Sequence, residues 1–363
     1  MDELSIKRKL LLEMMKSKRL DAVYLCRLSN FAWYTGGLEP VIMLSSEQAE
    51  GALLITSEKS YVICNTIEYP RLRDEDKLSD KGFEFYVTPW YQGTPDLAKL
   101  VKGMRWASDW HLGNGELEIA RDIARLRFQL VPEEVDRYRW LGLHAAKALE
   151  KAARSVRPGM TEMEISGIIS AEARKYGITP VLILVGVDER IFHFRHPIPT
   201  LKSLEKYAML VICAKRWGLI ASATRFTHFG PLSPDLKRKE TACAYVDAIY
   251  NSSTTVGARV SGIFNRAAQS YAEMGFPGEW QKHNQGGSAG YESRDYEGNP
   301  TCSEIVLSEQ AFAWNPSITG IKSEDTMIVH KDGCEFLTVT DNWPTVRVEV
   351  DGMVWNRPMI LVV

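Results

Sequence analysis

Apolar and charged residues recur at helical spacing through the first twenty positions, MDELSIKRKLLLEMMKSKRL, and predict an amphipathic helix. The unbroken apolar run DAVYLC at 21–26 reads as a buried strand, and SNFAWYTGG at 29–37 reads as a turn-rich connection. Residues 52–56 and 61–64, joined by a Ser-Glu-Lys-Ser turn, predict a hairpin. Strands are predicted at 83–87 and 105–112, with a helix between them at 96–102. Residues 1–130 thus describe a small α/β domain.

The pattern changes at Pro132. PEEVDRYRWLGLHAAKALEKAARSV has Pro and two Glu in its first turn and Leu141, Ala145 and Leu149 on one stripe, as a long helix does. Pro158-Gly159 ends it; Thr161 with Glu164 forms a capping box that opens a second helix over 162–175. Strands follow at 180–185 and 207–213, the latter turning at Trp217-Gly218 into a partner that runs to Phe226. Ser233-Pro234-Asp235 starts another long helix, a shorter one covers 262–274, and strand-rich sequence continues to the end. Two helices and then strands occur twice, which predicts an α+β domain of two similar units over 131–363.

A length of 363 residues suits two domains, and 45% hydrophobic with 25% charged residues is the composition of a folded, soluble chain. The net charge of −2 excludes a nucleic-acid partner held by basic excess. Cys26, Cys64, Cys213, Cys243, Cys302 and Cys334 are widely spaced with no C-x-x-C pair, so neither a zinc knuckle nor a disulfide framework is expected, and a reducing cytoplasm fits. No signal-peptide core or membrane-spanning run is expected.

From Glu133 onward the chain resembles the pita-bread hydrolases: aminopeptidase P, prolidase, methionine aminopeptidase and the metal-free creatinase. The resemblance rests on Pro158-Gly159-Met160-Thr161 with Glu164, on AKRWGLIASATR at 214–225, on HNQGGSAGYESRD at 283–295, and on FAWNP at 312–316 followed by Glu324-Asp325-Thr326. Leu20-Asp21-Ala22, Asn30 and Tyr34-Thr35-Gly36 resemble the creatinase amino-terminal domain. The fold implied is a creatinase-type α/β domain followed by a pseudo-two-fold pita-bread domain, and a homodimer is the assembly implied.

In the peptidases these stretches supply two aspartates, a histidine and two glutamates that hold a pair of divalent cations. Carried over by position, the aspartates fall on Val211 and Ser222, the histidine on Gly287 and the first glutamate on Asn315; the second glutamate is Glu324. The family's substrate-contacting histidine falls on Arg294. Two divalent cations bring about +4, which one carboxylate with neutral Ser and Asn does not match, so no metal cofactor is expected.

Creatinase, which works without metal, places a histidine on the segment before that hairpin, and His196-Pro197 occupies the position here. Imidazole titrates near neutrality, so His196 suits protonation of a leaving nitrogen and activation of water, with Glu324 orienting the water or the ring. Arg195 or Arg294 suits a substrate carboxylate, and His283 stands beside them as a substrate-binding candidate. Plainer readings stand alongside: Glu324 paired with an arginine such as Arg225, Arg294 in an ordinary ion pair, Trp314 in the core, and Gly286-Gly287 as a backbone-permissive turn.

Three functions follow. The first is a metal-independent hydrolase of a C–N bond in a small nitrogenous carboxylate or short peptide-like molecule. The second is a pseudoenzyme that binds such a ligand without turnover. The third is a metallopeptidase with relocated ligands drawn from Glu324, His283 or Asp295.

Overall fold

The computed structural model describes residues 2–93 and 97–363, and the chain divides into two units, Met1–Arg127 and Phe128–Val363. The first opens on helix α1 (Glu3–Lys18), where the Asp2 carboxylate accepts the Ser5 N–H at 2.8 Å and a left-handed Arg19 ends the last turn. Its inward stripe is Lys7, Leu11 and Met15, four residues apart. Strand β1 (Ala22–Arg27) follows. Residues 28–35, expected as a turn-rich connection, are helix α2 (Leu28–Thr35). Every residue of α2 is buried, so it carries no one-sided periodicity; it stops where Gly36 turns left-handed at φ 78°.

Strands β2 (Gln48–Thr56) and β3 (Ser60–Asn65) make the expected hairpin. Helix α3 (Tyr69–Asp74), β4 (Phe83–Thr88), helix α4 (Leu97–Leu100), β5 (Trp106–Ser108), β6 (Leu117–Glu118) and helix α5 (Ala120–Arg127) complete this unit. The sheet order is β4-β3-β2-β1-β5-β6. The strand expected over 105–112 stops at Ser108 because the Asp109 carboxylate takes over the edge, accepting the N–H groups of Cys26 and Arg27 and the Asn30 amide. The expected start of the helix at Asp96 lies outside the described residues.

The second unit begins with helix α6 (Pro132–Ser155), whose first turn is closed by the Glu134 carboxylate accepting the Val131 N–H at 2.8 Å. Helix α7 (Glu162–Arg174) carries the expected box, with Thr161 Oγ1 accepting the Glu164 N–H and the Glu164 carboxylate accepting the Thr161 N–H. Next come β7 (Thr179–Val187), the short helix α8 (Glu189–His193), β8 (Tyr207–Arg216) and β9 (Leu219–His228). Trp217 and Gly218, both left-handed at φ 56° and 77°, form the two-residue turn between β8 and β9.

The plan then recurs: helices α9 (Pro234–Ser253) and α10 (Val260–Glu273) precede a second antiparallel sheet. Its strands are β10 (Gly286–Ala289), β11 (Tyr296–Glu297) and β12 (Gln310–Trp314). The hairpin of β13 (Ser317–Ile318) and β14 (Ile321–Lys322) leads into β15 (Asp325–His330) and β16 (Gly333–Phe336). A ribbon of β17 (Thr345–Val350) and β18 (Met353–Pro358), then β19 (Leu361–Val362), closes the chain. The two sheets run β19-β9-β8-β7 and β11-β10-β12-β15-β16. Among the described residues no helix is long and apolar enough to cross a membrane.

Gly286 and Gly287, expected in a turn, lie in β10 instead. They are required by close approach: a Cβ on Gly286 would meet the Ala313 carbonyl oxygen at 2.2 Å, and one on Gly287 the Tyr296 carbonyl oxygen at 2.3 Å. Trp314 belongs to the core, stacked on Tyr250 and Phe312 with its indole N–H donating to Thr254 Oγ1 at 2.9 Å.

A buried ionic network ties this unit together. Asp325 accepts from Arg225 on one oxygen and from Arg357 on the other, both at 2.8 Å, and Arg357 Nε reaches Asp247 at 2.6 Å. The Ser323 hydroxyl also donates to Asp247. Strands β9, β15 and β18 and helix α9 are thereby joined through groups that water does not reach. Replacing Arg357 with Met leaves two buried carboxylates short of a counter-charge and is expected to cost about 3–5 kcal/mol. Arg139→Ala, which breaks the exposed pair with Glu335, is expected to cost about 1 kcal/mol or less. Urea unfolding of both variants checks the contrast.

Candidate active site

The site grows from the alternation of side chains around β15. Ser323 and Asp325 turn toward the ionic network, so Lys322 and Glu324 turn the opposite way. The same alternation in β9 sends Thr224 to Glu324 and Arg225 to Asp325. Glu324 does pair with an arginine, but with Arg294 rather than the expected Arg225, which lies on the other face of its strand and only approaches the Glu324 backbone carbonyl, at 3.4 Å.

Glu324 is buried with both oxygens engaged. Oε2 meets the Lys322 ammonium at 2.8 Å and the Thr224 hydroxyl at 2.7 Å, while Oε1 meets Arg294 at 3.4 Å. Burial pushes its carboxyl pKa up, but the charges of Lys322 and Arg294 and the hydrogen bonds outweigh this and hold it down at about 2. Lys322 ends β14 two residues before Glu324, which lies in the link to β15, and nothing in the local sequence marked it as a partner of that carboxylate.

His196 follows α8 on an exposed segment, and His283 follows a single turn of 3-10 helix at Glu279–Lys282. Their Nε2 atoms stand 2.9 Å apart with the rings edge to face. One ring donates its N–H and the other accepts, so the pair shares one proton between them. His283 Nδ1 lies 3.4 Å from the Ser317 hydroxyl. Burial, then the positive charge of Lys322, lowers His196 from its ordinary value and takes His283 to about 3, against a weaker upward pull from Glu324.

Arg195 is committed to the protein. Its Nη2 reaches Glu279 at 2.6 Å and the Thr319 hydroxyl at 3.1 Å, and Glu279 in turn accepts the Thr319 N–H at the tip of the β13–β14 hairpin. Arg294 donates to the Ser293 carbonyl and to Glu324, and its buried Nε has no acceptor among the described residues. Apolar side chains of Ile191, Phe194, Met209 and Ile321, with Arg195, His283, Ser317 and Lys322, line a small recess of about 10 Å³.

The remaining candidate positions offer little donor chemistry. Val211 is buried in an apolar cluster with Met209 and Phe226, and Ser222 donates to Cys213 Sγ at 3.2 Å. Gly287 has no space for a side chain. Asn315 is buried, and its Oδ1 has no donor among the described residues. Among the described residues no three His, Cys, Asp or Glu side chains converge as metal ligands, so Glu324, His283 and Asp295 do not form a common set.

Comparison with known proteins places the fold. Residues 137–331 match metallopeptidase family M24, and residues 7–108 match the creatinase/prolidase N-terminal domain. A Xaa-Pro dipeptidase of Pyrococcus horikoshii is 24% identical over 360 residues, spanning 94% of this chain and 99% of that protein. The Xaa-Pro dipeptidase structure from Bacillus anthracis superposes with a TM-score of 0.79 at 16% identity, over 99% of this chain and 100% of that one. The N-terminal domain of FACT complex subunit SPT16 from Cicer arietinum superposes at 0.69 with 12% identity, over 93% and 96%. At those identities the structural likeness shows the fold alone. The chain belongs to metallopeptidase family M24, with a creatinase/prolidase-type domain ahead of its pita-bread domain.

Proposed function

We propose that this family member is a metal-independent hydrolase of a C–N bond in a small nitrogenous carboxylate or short peptide-like substrate. The observation that carries the reading is the 2.9 Å contact between His196 and His283, set beside a carboxylate already neutralised by Lys322 and Arg294. The donor set does not fit a pair of divalent cations. Val211 and Gly287 offer no side-chain ligand, and an added cation at Glu324 would meet an ammonium held 2.8 Å from the same carboxylate.

In this reading a neutral His196 takes a proton from water as the oxygen attacks the substrate carbon. It returns that proton to the nitrogen as the C–N bond breaks, so one water is added across the bond. His283, kept neutral by burial and by Lys322, holds the His196 ring through the shared Nε2 proton. A second reading, binding without turnover, draws support from the fact that both Glu324 oxygens are already taken. Saturable binding without product identifies it.

Elemental analysis of gently purified protein is expected to find Mn, Co, Fe, Ni and Zn well below one equivalent. Turnover of guanidino acids, N-acyl amino acids or Xaa-Pro dipeptides is expected to survive chelator and to fall about 10²- to 10⁴-fold in His196→Ala, with circular dichroism unchanged. Stoichiometric metal with chelator-sensitive activity overturns the proposal.

The His283 ring carries a second prediction. Its folded pKa, about 3, lies below the ordinary 6.5, so the unfolded chain binds a proton that the folded chain refuses. Its contribution to stability is complete above pH 6.5 and is lost as pH falls toward 3. Urea unfolding is expected to show a loss of about 1–2 kcal/mol between neutrality and about pH 5 that His283→Gln removes.

A further inference from the structure

The outer face of helix α6 carries charge of mostly one sign. Lys147, Lys151 and Arg154 fall on one stripe of the helix, and Arg157 follows just past its end. With Ser155 and Asn342 they line an open groove of about 730 Å³. Two carboxylates stand among these cations, and both are already divided. Glu150 accepts from Arg154 at 2.7 Å and from the Thr340 hydroxyl at 2.5 Å, while Glu172 of α7 is shared by Lys151 at 3.2 Å and Lys175 at 2.7 Å. Among the described residues Lys147 meets no carboxylate, and Arg157 donates to the backbone carbonyls of Arg154 and Val156. A chain whose net charge is −2 thus holds a local surplus of positive charge.

The surplus continues toward the start of α6. Arg216 packs against the Trp140 and Trp217 rings, 4.5 and 4.4 Å from their centroids, and gives an N–H to the Tyr176 carbonyl, so its guanidinium is fixed without a carboxylate. His144 stacks on Trp140 at 3.9 Å, which leaves neither face of that ring open.

Two details distinguish the polyanion that suits this surface. A single-stranded nucleic acid sets consecutive phosphates on cations and stacks its bases on open rings. Here Glu150 and Glu172 interrupt the cations, and Trp140 is covered on both sides. An extended peptide carries alternate side chains ~6.6 Å apart on one side, close to the ~6 Å rise from Lys147 to Lys151, and can place uncharged residues opposite the two glutamates.

We propose that this face of α6 docks an extended acidic peptide segment of a partner protein, whose Asp and Glu side chains meet Lys147, Lys151, Arg154 and Arg157. The surface uses neither His196, His283 nor Glu324, so the assignment is independent of the hydrolase reading.

The test is calorimetric titration of the full chain at low ionic strength with the peptide Asp-Glu-Asp-Glu-Asp-Glu, with its Asn-Gln counterpart and with an oligothymidylate of the same charge. The acidic peptide is expected to bind saturably, the neutral one at least about tenfold more weakly, and the acidic peptide less tightly as salt shortens the screening length below ~10 Å. Lys147→Glu/Lys151→Glu is expected to lower the acidic peptide's affinity at least about tenfold. Both side chains are exposed, so the variant is expected to fold, which circular dichroism checks. Lys9→Glu/Lys331→Glu makes the same change in net charge at two other exposed positions and is expected to bind as the unmodified chain does.

Equal binding of the neutral peptide, equal losses in the two double variants, or no saturable binding by the unmodified chain overturns the assignment. Tighter binding of the oligothymidylate than of the acidic peptide overturns it in favour of a single-stranded nucleic acid.

Discussion

Asp325 divides its two oxygens between Arg225 and Arg357, and the candidate site is suspended from that contact. An unpaired charge in this setting would be costly to bury, so each ion fixes the place of the next: Asp325 fixes Arg357, and Arg357 fixes Asp247. Because β15 alternates, holding Asp325 on one side aims Glu324 toward the other. The same rule in β9 brings Thr224 to meet it. The geometry at the cleft therefore follows from polar contacts made behind it, where neither ligand nor water reaches.

The two faces of this segment divide the labour of stability and chemistry. Behind it, charges are matched one to one with hydrogen-bonding side chains around them, as the Thr338 hydroxyl on Asp325 and the Asn251 amide on Asp247 illustrate. In front, one carboxylate faces two cations, and two imidazoles with lowered pKa values face each other. The first arrangement favours a single rigid state. The second leaves hydrogen-bonding groups available to a ligand.

Much of the fold was legible because local chemistry and long-range packing agree. The capping box at Thr161 and Glu164 and the turn at Trp217-Gly218 each need only a few neighbouring residues to specify them. Helix α2 was not legible, since burial on all sides erases the periodicity that reveals a surface helix. The strand position of Gly286 and Gly287 was hidden for a related reason: what demands glycine there is the approach of β11 and β12, far along the chain. At the site, the resemblance to the pita-bread hydrolases identified His196, His283, Arg294 and Glu324 as candidates. It did not identify the partners of Glu324, because which arginine meets it depends on the facing of two strands brought together only by the fold.

The contact at Gly287 sets the order in which this site could change. A Cβ there would sit 2.3 Å from the Tyr296 carbonyl, inside the backbone of the adjoining strand. No side chain can be installed at this position by a single exchange; β11 would first have to move away from β10. Any change of side chain here is therefore a backbone rearrangement followed by a substitution, and stepwise exchange would meet a steric barrier at this position.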